Sequence, residues 1–351
     1  MSKKARIGVI GAGWWAARVH LPNIASHPHA DLVGICDADI DRAKKAQELF
    51  GAKMATSSYD ELLGQDLDAV LVATPHNAHF APAKAALDAG ADVLIEKPMT
   101  LDPTEAWELV RLAKSKNRNL HMGYTFPHSV HVQEVRQKIA GGYIGKVRFA
   151  TGLFTGNIAP LYSGNVEVQA EEGAPFISRA TTYSAKKSGG GQLYTQTTHP
   201  VSTLLFMLDV EAKSVKGNLD NSGEVDQSNS LIFSDDSQYI CTVSSSGLMV
   251  DHSYRMEEYR VIGDEGFFQL DTRTGNLISQ RKGEQIKVHE KISEYDANPI
   301  KGPSSSLITT ALGMTEVVAS GELGAKTVDI LDGCKRSSEI GEKIEISRVV
   351  N

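Results

Sequence analysis

The chain has 351 residues, 41% of them hydrophobic and 23% charged, with a formal net charge of -7. That length exceeds one small core and suits two domains, and an acidic chain with no Lys/Arg stripe is unsuited to a nucleic-acid partner. No stretch approaches the roughly 20 apolar residues that span a bilayer, so no spanning helix and no membrane partner is expected. Glycine breaks the apolar run of MSKKARIGVIGAG too early for a signal peptide, and the separated Cys36, Cys241 and Cys334 read as reduced thiols of a cytoplasmic protein.

From Arg6 to about Met122 short apolar runs alternate with helical spacing. RIGVIG, LVGICD, AVLVAT, DVLIEK and NLHMG have the length and composition of buried parallel strands. Between them DRAKKAQELFG closes on Gly51 as a helix does, HFAPAKAALDAGA follows the same rule, and TEAWELVRLAKSKN opens at Asp102-Pro103. This alternation predicts a parallel sheet covered on both faces, an α/β domain over residues 1–122. A helix, SVHVQEVRQKIAGG, then leads into IGKVRFATGLFTG, and the chain reads as antiparallel strands: a hairpin around Asp235-Asp236, then strands turning at GDEG, RTGN and KGE. Helical spacing returns in SSSLITTALGMTEVVASGE and DILDGCKRSSEIGE. Residues 123–351 are thus expected to form an α+β domain with a large open, mainly antiparallel sheet. Residues 156–188, rich in Gly, Ser and Thr, read as a long connection near the site.

The first strand runs into Gly11-Ala12-Gly13-Trp14-Trp15-Ala16, a G-x-G-x-x-A turn. Gly11 permits the tight turn, Gly13 lets backbone approach a pyrophosphate, and the small third residue lets helix pack on strand, the pattern of a Rossmann dinucleotide site. Asp37 closes the second strand where a carboxylate accepts ribose hydroxyls. It would repel a 2′-phosphate, and no arginine stands beside it, so NAD is favoured over NADP. Asp37 also reads as an N-cap for the helix beginning near Asp39. Trp14 and Trp15 are placed under or beside the phosphates, or in ordinary packing. Thr74, Pro75 and His79 follow AVLVAT, and Glu96 and Lys97 follow DVLI, so both sets stand at the carboxyl ends of strands, where open parallel sheets bind ligands.

The ordered set of GAG at the first turn, ATP after AVLVAT, Glu96-Lys97-Pro98, and the glycine-rich GGGQLYTQTTHP leading to His199 resembles the glucose-fructose oxidoreductase, inositol dehydrogenase and rhizopine-catabolism (Gfo/Idh/MocA) family. The resemblance covers essentially the whole chain, including the IGKV lead-in to the second domain and the helical tail with its SGE segment. It implies an NAD(P)-dependent oxidoreductase acting on a sugar, cyclitol or related polyol. Lys97 would then hydrogen-bond substrate and nicotinamide ribose, and His199 would serve as general acid/base. An imidazole titrates near the working pH, and an ammonium stabilises developing alkoxide charge. The bland readings are an ion pair of Lys97 with Glu96 and a satisfied helix-terminal His199.

One departure from the family pattern stands four residues before His199, where members commonly carry aspartate and this chain has Thr195. Threonine brings no charge, so the imidazolium loses an electrostatic partner. Tyr124, His128 and Tyr194 are candidates to replace the lost function. A second reading is the redox-neutral NAD-dependent glycosidase chemistry of some members, with Arg179, Lys186 and Lys187 available for an anionic sugar. A third is a non-enzymatic sensor that keeps the cofactor fold. The alternating runs 229–246 and 259–290 predict a sheet face buried against a second copy, giving a homodimer or homotetramer.

Overall fold

The computed structural model describes residues 3–171, 175–220, 222–235, 238–250 and 255–346. The backbone divides into two compact units. The first holds Met1–Tyr124 with Gly164–Thr182 and Ile300–Ala325; the second holds Thr125–Ser163, Tyr183–Pro299 and Lys326–Asn351.

The first unit is built on six strands: β1 (Ala5–Ile10), β2 (Ala30–Cys36), β3 (Met54–Thr56), β4 (Ala69–Val72), β5 (Asp92–Ile95) and β6 (Leu120–Met122). They lie in the order β3-β2-β1-β4-β5-β6 and every pairing is parallel. The apolar runs form strands because helices cover both faces and Ile7, Val9, Val70, Leu71 and Leu94 lose all contact with water. Each such side chain contributes on the order of 2 kcal/mol of hydrophobic stabilisation. The short edge strand β3 was not foreseen. The helix Ile40–Phe50 is capped by Asp39, whose carboxylate accepts from the N–H groups of Asp41 and Arg42, and ends at Gly51 with φ 72°. Asp102 caps Pro103–Ser115 in the expected way. The helix Gly302–Ala311 joins this core through Leu307 and Ile308, and Asn23 fastens it to the helix Leu21–Ser26 by donating to Ser304 Oγ at 2.9 Å.

The second unit carries nine strands: β7 (Val147–Thr155), β8 (Ser214–Leu219), β9 (Ser228–Ser234), β10 (Ile240–Ser246), β11 (Glu257–Gly263), β12 (Gly266–Asp271), β13 (Asn276–Arg281), β14 (Lys287–Val288) and β15 (Ile344–Glu345). Their order is β14-β13-β12-β11-β7-β10-β9-β8-β15. The hairpin of β9 and β10 forms as expected, though Asp236 at its turn lies outside the described residues. The sheet is mixed: β7 and β10 pair in parallel, and the other pairings are antiparallel. One face is covered by the helices Val130–Ala140 and Thr198–Leu208. Alternate side chains point the other way, and there Phe149, Ile232, Ile240 and Ile262 are exposed large apolar residues. Registry puts Phe149 between Ile240 and Ile262. Residues 156–188 contain short helical turns at Ala159–Tyr162, Val168–Glu171, Thr181–Ser184 and Lys186–Ser188.

Candidate functional site

At the carboxyl end of β1, Gly11 has φ 97°, and a Cβ there would stand 2.5 Å from the Ala73 carbonyl oxygen, so no other residue fits the turn. Gly13 is different: a Cβ there would meet nothing within 4 Å. Its backbone faces open space at the head of the helical turn, where a pyrophosphate would approach. Ala16 is buried, and a π-helical turn spans Ala16–His20. Asp37 Oδ2 accepts from the Ala12 N–H at 2.8 Å and Oδ1 from the Asp39 N–H at 3.0 Å. Asp39, not Asp37, caps the following helix, so Asp37 braces the glycine turn from the end of β2. Trp14 and Trp15 are half-buried with ring centroids 5.6 Å apart, and the Arg18 guanidinium lies 5.6 Å from the Trp14 ring.

Two loops flank this turn. After β4, Pro75 is exposed and Thr74 Oγ1 donates to the Ala78 carbonyl at 2.9 Å. His79 is 1% exposed, with Nδ1 2.8 Å from the Pro98 carbonyl and Nε2 2.9 Å from the Thr74 carbonyl. Burial lowers its pKa, and the bonds to those carbonyls only partly offset this. His79 therefore clasps the two loops to each other, and both ring nitrogens face backbone carbonyls. After β5, Glu96 is buried, its Oε1 2.7 Å from His20 Nε2 and its Oε2 accepting from the Lys97 N–H at 3.2 Å. Lys97, followed by a cis peptide to Pro98, is partly exposed; burial lowers its pKa against the opposing charge of Glu96.

In the second unit His199 sits at the second residue of the helix Thr198–Leu208, but helical backbone begins earlier, in a π-helical turn over Leu193–Thr197. The His199 ring stacks on Phe154 at 5.6 Å with an 18° interplanar angle and meets the edge of Phe126 at 5.8 Å and 87°. Its carbonyl accepts from Ser202 Oγ and Thr203 Oγ1. Thr195 is buried in the same region as Tyr162. The Tyr162 hydroxyl donates to Gln192 Oε1 at 2.6 Å, and Gln192 Nε2 donates to Ser245 Oγ at 2.6 Å. Burial first, and the charge of Asp226 second, hold the Tyr162 phenol well above its ordinary pKa, so it remains a neutral donor. Asp226 supplies the buried carboxylate of this region. Its Oδ2 accepts from the Leu193 N–H at 3.0 Å and from Asn229 Nδ2 at 2.9 Å, and burial pushes its pKa up to about 6.

Gly11, Gly13, Asp37, Thr74, Pro75, His79, Glu96 and Lys97 thus gather at the carboxyl edge of one sheet. Tyr194 and Thr195 share the π-turn before His199. Tyr194 is buried, and burial raises its pKa. Tyr124 is buried at the end of the first unit. Burial pushes the His128 pKa down to about 4, leaving a neutral ring at pH 7. Arg179 is exposed and belongs to the first unit, and Lys186 and Lys187 are exposed in the second. The sequence reading missed His20, Phe126, Phe154, Tyr162 and Asp226. A readable signal existed for His20: one imidazole among the apolar buried positions Ala16, Val19 and Leu21.

Residues 5–124 match the family model described as "Oxidoreductase family, NAD-binding Rossmann fold", and residues 132–269 match the GFO/IDH/MocA C-terminal domain. The chain belongs to the Gfo/Idh/MocA oxidoreductase family. Among curated relatives, the chain is 29% identical to a dTDP-3,4-didehydro-2,6-dideoxy-alpha-D-glucose 3-reductase of Streptomyces violaceoruber over 270 residues, 76% of this chain and 72% of the relative. It is 28% identical to the D-glucoside 3-dehydrogenase of Escherichia coli over 151 residues, 43% of each. In fold it is similar to the WlbA dehydrogenase of Bordetella pertussis, solved with NADH and UDP-GlcNAcA, with a TM-score of 0.75, 20% identity, and coverage of 99% of this chain and all of that one. Among the described residues no helix is long and apolar enough to cross a membrane.

The Gfo/Idh/MocA chain fits NAD: the open backbone of Gly13 leaves a cradle that any side chain would fill, and Asp37 stands at the end of β2. Gly13→Val should therefore leave the melting temperature unchanged while weakening NADH at least tenfold, read as loss of fluorescence quenching on titration. For Asp226 the folded pKa of about 6 exceeds the ordinary 3.8, so its contribution favours the fold below about pH 4 and is lost as pH rises through about 6. In urea titrations, the stability of wild type relative to Asp226→Asn should fall over that window; a pH-independent difference would contradict it.

Proposed function

We propose that this oxidoreductase moves a hydride between NAD and a ring carbinol of a hexose or hexose derivative, within a fold whose residues 1–122 bind the cofactor and whose residues 123–351 bind substrate. The observation that carries the reading is Lys97, set at the carboxyl edge of the NAD-binding sheet beside a buried carboxylate. The names of two relatives, a 3-reductase and a 3-dehydrogenase of glucose-type sugars, support position 3 of the ring as the reacting carbon.

NAD, held at the Gly11–Gly13 turn and beside Asp37, would serve as hydride acceptor or donor. The Lys97 ammonium donates to the substrate oxygen and stabilises charge as it develops there. His199 takes the hydroxyl proton on a ring nitrogen in the oxidising direction and returns it in the reducing direction. Phe126 and Phe154 flank the ring and set its orientation, which suits a base that must meet the hydroxyl at a defined angle. Tyr124 and Tyr194 are assigned to substrate binding, His128 to a reserve proton-transfer role, and exposed Arg179 to an anionic substituent. The protein is assigned to the cytoplasm.

His199→Ala should lower turnover about a hundredfold while NADH titrations stay at the wild-type midpoint; unchanged turnover would move the role to Tyr124 or His128. The substrate panel for this measurement is glucosides, deoxy-sugar nucleotides and uronic acids, read by NADH formation. Glycoside hydrolysis with no net NADH would instead assign the redox-neutral glycosidase.

The apolar side chains Phe149, Ile232, Ile240 and Ile262 on the outward sheet face support burial against a second copy. A homodimer or homotetramer is the expected species in sedimentation velocity, and Ile240→Lys should shift it toward monomer; a monomeric wild type would remove this part of the proposal.

A further inference from the structure

Glu96 carries a charge that the sheet edge cannot tolerate alone. Its carboxylate is 7% exposed, and an unanswered buried carboxylate takes up a proton. Three features keep it ionised and in place. His20, 0% exposed, holds Oε1 through Nε2 at 2.7 Å, and the Lys97 N–H holds Oε2 at 3.2 Å. Gly123 leaves the volume that the carboxylate fills, since a Cβ there would stand 2.4 Å from Oε1. Burial alone would raise the Glu96 pKa, but the His20 bond and the charges of His20 and Lys97 outweigh it, and the net shift is downward. In return, the charge of Glu96 opposes the loss of the Lys97 proton.

The other His20 nitrogen, Nδ1, is buried with no hydrogen-bond partner among the described residues. Buried polar atoms are normally satisfied, so the ring is retained for its single bond to Glu96. His20 closes the π-turn that follows the nucleotide-binding glycines, and Lys97 stands on the neighbouring loop after β5. Among the described residues, the titratable groups that act on Glu96 include His20 from the π-turn, Lys97 from the same loop, and His79 from the loop after β4.

We propose that His20 is a positioning residue for Lys97: by anchoring the Glu96 carboxylate that holds the Lys97 backbone N–H, it sets the loop that carries Lys97 and places a negative charge beside that lysine. This rests on the reading of Lys97 as the substrate-facing cation, and the test separates the two. The Lys97 amine of the full-length protein, without substrate, is titrated by competitive acetylation with acetic anhydride from about pH 6 to 11, with the Lys97 peptide quantified by mass spectrometry. Glu96→Gln should lower the Lys97 midpoint by about one pH unit. His20→Ala should lower it in the same direction, and His20→Gln, which keeps a side-chain N–H donor, should restore the wild-type midpoint. The double variant His20→Ala/Glu96→Gln should fall no further than Glu96→Gln alone, because the effect passes through Glu96. A folded His20→Ala protein with a wild-type midpoint would overturn the proposal. If His20→Ala does not fold, the isosteric Glu96→Gln variant still decides: an unmoved midpoint there overturns it too. Undiminished turnover of Lys97→Ala, beside shifted midpoints in the other variants, would refute the role of Lys97 and uphold the pair.

Discussion

The Glu96 carboxylate is the constraint around which the first unit is arranged. Sheet bonding fixes its backbone, with the Glu96 N–H on the Val72 carbonyl at 2.9 Å and the Gly123 N–H on the Ile95 carbonyl at 2.8 Å. The side chain then has one buried volume to occupy, and a charge in that volume must be answered by donors. Much of the neighbouring sequence follows from this: no side chain at 123, an imidazole at 20, a cation at 97. His79 adds a second tie, its ring set between the carbonyls of Thr74 and Pro98 with one N–H to donate. The nucleotide turn, the loop after β4 and the loop after β5 are thereby set as one edge, which is what holding an extended dinucleotide demands of a sheet.

The second unit solves a different problem, that of holding an imidazole in a fixed orientation against aromatic rings. His199 lies against two phenylalanines, and the hydrogen-bonded side chains Tyr162, Gln192 and Ser245 near the preceding turn are neutral. The buried carboxylate of this region, Asp226, is taken up by the N–H of Leu193 and by Asn229 at the head of the turn. Negative charge there suits the positive end of a helix. A carboxylate beside the histidine would hold the imidazolium; one at the helix head instead orders the backbone that carries the ring.

Five of the six strands of the first sheet were legible because a parallel strand buried on both faces is a continuous apolar run. The sixth, Met54–Thr56, has three residues and half-buried positions, too short for any period to show. Alternation announced β7 and β9 to β14 of the second sheet but not β8 or the two-residue β15, nor the parallel pairing of β7 with β10, since parallel and antiparallel strands share the same two-residue period. Gly11 and Gly13 were legible because their spacing is set by local backbone geometry, and Asp37 because it closes the strand that follows the turn. His20 and Asp226 were not: each acquires its meaning from a partner 76 or 33 residues away in the chain, Glu96 and Leu193. The same holds for Phe154, whose place on the inner face of β7 looks like ordinary core until the ring of His199 is stacked on it.

Neither π-turn was legible, and both lead to a histidine. Ala16–His20 ends on His20, and Leu193–Thr197 stops two residues before His199. Each follows a glycine with left-handed backbone, Gly11 at φ 97° and Gly191 at φ 92°. A π-turn widens the helix and spends one more residue per turn, which rotates every later side chain relative to an α-helical course. Its hydrogen bonds are less favourable than those of an α-helix, so it persists where the surrounding contacts demand that rotation. In the first unit the demand is the 2.7 Å bond from a fully buried His20 to Glu96. In the second, the Leu193 N–H is pinned to Asp226 while His199 stacks on Phe154. With both ends of the segment fixed, the extra residue is what lets each histidine reach its partner.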